Sequence, residues 1–257
     1  MSFFRVIGTI FIAATLSACA SGPIGGGTLF EAKLEPKLQD KTQYKNLIIA
    51  TVNYGKPSRN YLEEYEPLID GYVEAALVKA GYNILPSSLF ASAWQDAVRK
   101  WGSPYDETTG RLNQAFNYAV AETIKALNES TEVDAIVFTN LMEQQVYFSP
   151  TGSHTTHFLG VTRKPSTKGG DGITADFDWI QAVDAVGLYI WTLDAEDFSL
   201  LFNGAGGIEV TETLDLKPAT PRWVRTKRVL DNETYIEEGL ELALHPWIPS
   251  KRIKIKK

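Results

Sequence analysis

One cysteine in 257 residues constrains this chain more than any other feature. Cys19 has no second thiol to pair with, so disulfides and zinc–thiolate sites are excluded. Whatever folds here must be held by its apolar core. The position of that cysteine is as informative as its solitude. Arg5 is the only charge before it. Val6 to Leu16 is apolar apart from Gly8, Thr9 and Thr15, and Ser17-Ala18-Cys19-Ala20 then supplies small residues. A short positive start, an apolar run too short to span a bilayer, and a small-residue cleavage site make a secretory signal peptide.

Leu16-Ser17-Ala18-Cys19 resembles the lipobox of bacterial lipoproteins. The resemblance implies cleavage before Cys19, a diacylglycerol on its thiol and an acyl group on the new amine. Two or more acyl chains hold a protein firmly where one holds it marginally. With Ala at position 20, it also implies the outer membrane, with the domain facing the periplasm.

Without residues 1–18 the chain keeps 239 residues and, having lost Arg5, a formal charge of −7 rather than −6. That length suits one large domain or two small ones. The acidic balance argues against nucleic-acid binding, which needs a net basic face. No later segment is long and apolar enough to cross a membrane as a helix.

The expected organisation is a signal peptide over residues 1–18, then a lipidated cysteine and flexible tether over 19–44. A globular domain follows over 45–250 and a basic tail over 251–257. Gly22 to Gly27 supports the tether, with some ordered pairing possible along Glu31–Tyr44. Asn46–Val52 reads as a buried strand and is followed by a polar loop to Glu66. Pro67 starts a helix whose Leu68, Ile69, Tyr72, Val73, Ala76, Leu77 and Ala80 recur at helical spacing, with Gly81 beyond it. Tyr82–Leu85 is a second strand. Two helices follow, near Pro86–Trp101 and Arg111–Asn128. Val133–Leu141 reads as a central strand running on towards Phe148. A strand near Phe158–Arg163 and a mobile loop near Pro165–Gly172 come next. Val183–Leu193 and Phe198–Val210 form a hairpin about the turn Asp194–Asp197, with Gly204, Gly206 and Gly207 marking a bulge. Asn232 caps a final helix to Leu244. The fold expected is a single α/β domain, a mixed, largely antiparallel sheet with helices packed on one face.

This order resembles that of curli-secretion channel proteins, penicillin-binding-protein activator lipoproteins and the N-terminal domain of TolB. The strings that carry the resemblance are Gly81-Tyr82-Asn83-Ile84-Leu85, Val133-Asp134-Ala135-Ile136-Val137, and Val186 through Trp191 to Ala195. It spans roughly residues 45–245 as a pattern of elements. It implies a protein that binds, scaffolds or forms pores, and transfers no catalytic residue. The chain departs from the group in its long Ser149–Asp178 insertion and in lacking clear transmembrane-hairpin alternation.

Chemical motifs are sparse. His154 and His157 are candidate metal ligands, but three residues apart on a strand they face opposite ways. Asp171, Asp176 and Asp178 lack calcium-loop spacing. No nucleophile elbow or Ser-x-x-Lys occurs, and Ser153 beside His154 is not a triad. Gly204-Ala205-Gly206-Gly207 lacks dinucleotide-binding spacing. Asp194, Glu196 and Asp197 read as a charged turn. No catalytic residue, cofactor or metal is expected. Trp223 and Trp247, in proline-containing segments, are candidates for a partner surface. The functional expectation is a non-enzymatic, lipid-anchored scaffold, activator or assembly factor for an envelope machine, with a protein or peptidoglycan partner. A homo-oligomeric secretion or surface assembly is the alternative, and a periplasmic hydrolase the third.

Overall fold

The structure, a computed structural model, describes residues 30–51, 57–106, 108–109, 112–170 and 177–250. Cys19, the tail 251–257, Asp171 and Asp176 lie outside the described residues. In chain order the strands are β1 (Lys33–Leu34), β2 (Asn46–Thr51), β3 (Asn83–Leu85), β4 (Ala135–Val146), β5 (Thr156–Phe158), β6 (Val161–Arg163), β7 (Ser166–Lys168), β8 (Val183–Asp194), β9 (Leu200–Val210), β10 (Glu212–Asp215) and β11 (Arg222–Arg225). The helices are α1 (Glu66–Lys79), α2 (Ser87–Trp101), α3 (Gln114–Ser130) and α4 (Glu233–Leu244). None of the helices described is long and apolar enough to cross a membrane.

The main sheet has the order β1-β9-β8-β4-β2-β3. β3, β2 and β4 run parallel, while β4, β8, β9 and β1 alternate in direction. β4 and β8 pair along all twelve residues, from Ala135 opposite Asp194 to Val146 opposite Val183. Side-chain alternation along β4 divides the core. Ala135, Val137 and Leu141 join one cluster with α1 and α4, through Ile69, Val73, Leu77, Ile236 and Leu240. Ile136 and Phe138 join the other, with Phe90 of α2 and Phe116, Val120 and Ile124 of α3. Helices therefore cover both faces of the sheet, not one. The reason is the pair of parallel connections: β2–α1–β3 and β3–α2–α3–β4 run in opposite directions along the sheet and so cross opposite faces.

Local chemistry explains the helix ends. Asn113 and Asn232 cap α3 and α4 by accepting from the N–H of Ala115 (2.8 Å) and Tyr235 (3.2 Å). Pro67 sits in the first turn of α1, and Gly81, at φ +94°, receives the chain as it leaves. The glycines of β9 have a packing role besides the bulge. A Cβ on Gly204 or Gly206 would collide with the carbonyl oxygen of Ala243 or Gly239, so α4 lies directly on the strand.

The flexible tether was expected to run through Tyr44, but residues 30–44 are folded onto the domain. β1 pairs with Phe202 and Asn203 of β9, a 3₁₀ turn spans Pro36–Gln39, and Leu38 and Tyr44 are buried. The polar loop before α1 contains a 3₁₀ helix, Pro57–Tyr65. The single strand near Phe158–Arg163 is a hairpin, β5–β6, turning at Leu159 and Gly160. Where a loop was expected after Pro165, β7 adds in parallel to β10, which pairs with β11.

Candidate functional site

The sequence candidates separate in space. His154, at φ +47°, stacks on Trp179 (4.0 Å between ring centres, 11°), with Nδ1 3.1 Å from the Ser149 carbonyl. His157 is exposed on β5 and bonds Thr162 Oγ1 through Nδ1 (2.8 Å). The two rings do not converge. Among the described residues no three His, Cys, Asp or Glu side chains are grouped to hold a metal. Asp178 Oδ1 accepts the Ile180 N–H (2.8 Å).

Trp247 is core, not surface. It is 3% exposed, packs on Tyr82 and Phe202, and donates Nε1–H to Tyr82 Oη (2.7 Å). Tyr82 in turn donates to the Leu38 carbonyl (3.0 Å). A proline-flanked Trp reads as an exposed anchor only when nothing folds over it, and here the 30–44 segment does. Trp223 of β11 is half-buried. Its ring lies parallel to Phe148 (5.2 Å, 11°), and its Nε1 is buried without a hydrogen-bond partner.

The turn after β8 is structural. Glu196 N–H donates to Asp194 Oδ1 (2.8 Å) and Ser199 N–H to Asp197 Oδ1 (2.8 Å). The other oxygen of Asp194 takes Lys37 Nζ (2.8 Å) and the Tyr44 hydroxyl.

The densest grouping of ionisable side chains was not anticipated. Arg225 of β11 lies with its guanidinium 4.0 Å from the ring centre of Tyr61. Its Nη2 is 3.3 Å from Glu143 Oε1 on β4 and 3.1 Å from Asp184 Oδ2 on β8. Tyr61 also donates to Glu143 Oε1 (3.0 Å), and Glu212, opposite Arg225 in the β10–β11 register, accepts the Asp184 N–H (3.0 Å). Three carboxylates thus surround one guanidinium. Burial, reinforced by neighbouring carboxylates, raises the Asp184 and Glu212 carboxyls; Arg225 offsets this only in part, as does the Asp184 N–H bond at Glu212. Burial also pushes the Tyr61 phenol up to about 12. These groups come from five separate stretches of chain, so no local spacing signals them.

A shallow crevice lies beside the carboxyl end of β2, lined by Glu66, Ile69, Asp70, Thr139, Asn140 and Leu141. Open α/β sheets hold ligands at such places, where successive connections leave on opposite faces. Here Thr139 Oγ1 donates to Asp70 Oδ1 (2.6 Å), and Asn140 Oδ1 is buried without a hydrogen-bond partner.

No protein-family model matches the chain. No curated protein matches it either. Among solved structures it is similar to the lipoprotein GNA1162 from Neisseria meningitidis, at 16% identity and TM-score 0.32, over 65% of this chain and 82% of that one. It is also similar to the PelC dodecamer from Paraburkholderia phytofirmans, at 10% identity and TM-score 0.27, over 78% of this chain and 84% of that one. Likenesses this distant transfer neither activity nor partner.

Proposed function

We propose that this chain is a lipid-anchored envelope protein, acylated on Cys19, that works as a non-enzymatic scaffold, activator or assembly factor. The observation that carries the reading is the lone cysteine, placed where an apolar run of signal-peptide length ends in Leu16-Ser17-Ala18-Cys19. The described fold begins at Phe30, whose ring contacts Tyr189 on the sheet. About 11 peptide units separate it from Cys19, which puts the domain within roughly 40 Å of an anchor there. The resemblance of the strand and hairpin strings to envelope scaffold lipoproteins supports the same reading. So does the structural employment of Asp194, His154 and Trp247, whose polar atoms are engaged in holding the fold.

In-cell crosslinking of the full-length, lipidated protein, followed by mass spectrometry of what co-purifies, tests this. A stoichiometric envelope protein supports the scaffold reading. Recovery of self-crosslinks alone replaces it with a homo-oligomeric assembly.

A further inference from the structure

Charge in this acidic chain is unevenly divided. Residues 161–170 and 211–228, which build β6, β7, β10 and β11, hold eight of the 25 lysines and arginines but only two of the 31 acidic residues. Arg163 and Arg225 are paired with carboxylates. Arg163 is buried against Ile208 O and Glu238, and Arg225 bonds Glu143 and Asp184. The others are exposed.

Three of the exposed cations lie on the strands and turn about Asp215, and Lys168 pairs with it. Lys168 Nζ is 3.8 Å from Asp215 Oδ2, Arg222 sits opposite Asp215 in the β10–β11 register, and the Lys217 N–H donates to Asp215 Oδ1 (3.1 Å). The Lys217 stem crosses Gly169, where a Cβ would displace it, so Lys217 is held beside β7. One carboxylate cannot neutralise three cations, and an excess of positive charge faces solvent.

The same end of the molecule exposes apolar side chains. Trp223, next to Arg222, lies against Phe148 and Trp179. Their chain neighbours Tyr147 and Ile180 are 52% and 57% exposed. Asp178 is engaged by the Ile180 N–H, and Glu143, Asp184 and Glu212 are gathered about Arg225.

We infer that the β7–β10–β11 end, through Lys168, Lys217 and Arg222 with Tyr147 and Ile180, docks on a bilayer carrying anionic phospholipid. Lysine and arginine meet the phosphates, a tyrosine suits the headgroup layer, and an aliphatic side chain gains from the acyl boundary. Ile180 favours a bilayer over a soluble polyanion, which offers it nothing. The inference rests on the reading that the domain is held near a membrane, but the surface is tested apart from the anchor.

The test is co-sedimentation of the chain from residue 19 onward, carrying Cys19→Ser, with two kinds of vesicle. One mixes phosphatidylethanolamine with phosphatidylglycerol; the other is phosphatidylcholine alone. The expected result is salt-sensitive binding to the first and none to the second. Each neutralised cation lowers partitioning roughly fivefold, so Lys168→Gln, Lys217→Gln and Arg222→Gln together lower it on the order of a hundredfold. The Lys168→Arg, Lys217→Arg pair keeps binding and guards against a folding artefact, and Ile180→Ser with Tyr147→Ser weakens it severalfold at any salt. Equal binding to both vesicles, no binding by a folded wild-type chain, or an unaffected triple Gln variant overturns the inference. So does binding to soluble polyphosphate without vesicle binding, or salt-sensitive self-association in place of it. Any of these leaves acylation of Cys19 untouched.

Discussion

Lys37 Nζ lies 2.8 Å from Asp194 Oδ2, tying the segment that leads into the domain to the turn between β8 and β9. Asp194 also accepts from the buried Tyr44 hydroxyl. Burial alone would raise the Asp194 carboxyl, but bonds from Lys37, Tyr44 and the Glu196 N–H together bring it below its ordinary value. A carboxyl depressed by folding stabilises the protein above its unfolded pKa of about 3.9 and loses that contribution as pH falls through the lower folded value. Asp194→Ala is expected to cost about 2 kcal/mol at neutral pH, because it strands the Tyr44 hydroxyl. Lys37, whose side chain is 41% exposed, is worth less, and Lys37→Met costs under about 1 kcal/mol. Urea unfolding of both variants, at neutral pH and near pH 3, measures this; the Asp194→Ala deficit shrinks at the lower pH.

The Arg225 cluster has the opposite sign. Asp184 and Glu212 are raised by folding, so the stability linked to them is fully present below the unfolded carboxyl pKa and is lost as pH rises through the folded one. Glu212→Gln keeps an acceptor for the Asp184 N–H while removing a charge. It is expected to raise the melting temperature at neutral pH and to leave it unchanged near pH 3. Arg225→Ala, which leaves three carboxylates facing each other, lowers it at neutral pH.

These two charge groups show what local sequence conceals. Asp194 and its neighbours read as a charged turn, which they form, but nothing local signals the partners Lys37 and Tyr44, some 150 positions away in a segment with no periodicity of its own. β1 is two residues long and exists through its pairing with Phe202 and Asn203. β7, β10 and β11 are likewise three or four residues each, below the length at which alternation can be read. The longer elements were legible. The apolar run of β2, the Ile69–Val73–Leu77 stripe of α1, the Asn232 cap and the β8–β9 hairpin all announce themselves within one stretch of chain. Trp247 was misread because Tyr82 and Phe202 cover it from distant positions.

Trp247 provides a second test of that correction. Trp247→Phe removes the donor to Tyr82 and is expected to cost about 1 kcal/mol; Trp247→Ala empties a core site and costs roughly 3–5 kcal/mol. A partner-surface tryptophan would show neither loss in chemical denaturation of the isolated protein.

The contact between α4 and β9 predicts contrasting outcomes for two glycines. Gly206→Ala drives a methyl into the Gly239 carbonyl and is expected to cost about 3 kcal/mol or more. Gly71, within α1, has nothing within 4 Å of where a Cβ would stand. Gly71→Ala is expected to stabilise the protein by about 0.5–1 kcal/mol. Thermal melts of the two variants settle the comparison.

Intact-mass and N-terminal peptide mass spectrometry of the protein purified from bacterial membranes bears most directly on the central claim. The expected result is a mature chain beginning at Cys19, heavier than its sequence by a diacylglyceryl group and an amide-linked acyl chain, and a Cys19→Ser variant that keeps neither. A chain cut elsewhere, or one beginning at Cys19 with a bare thiol, would contradict it.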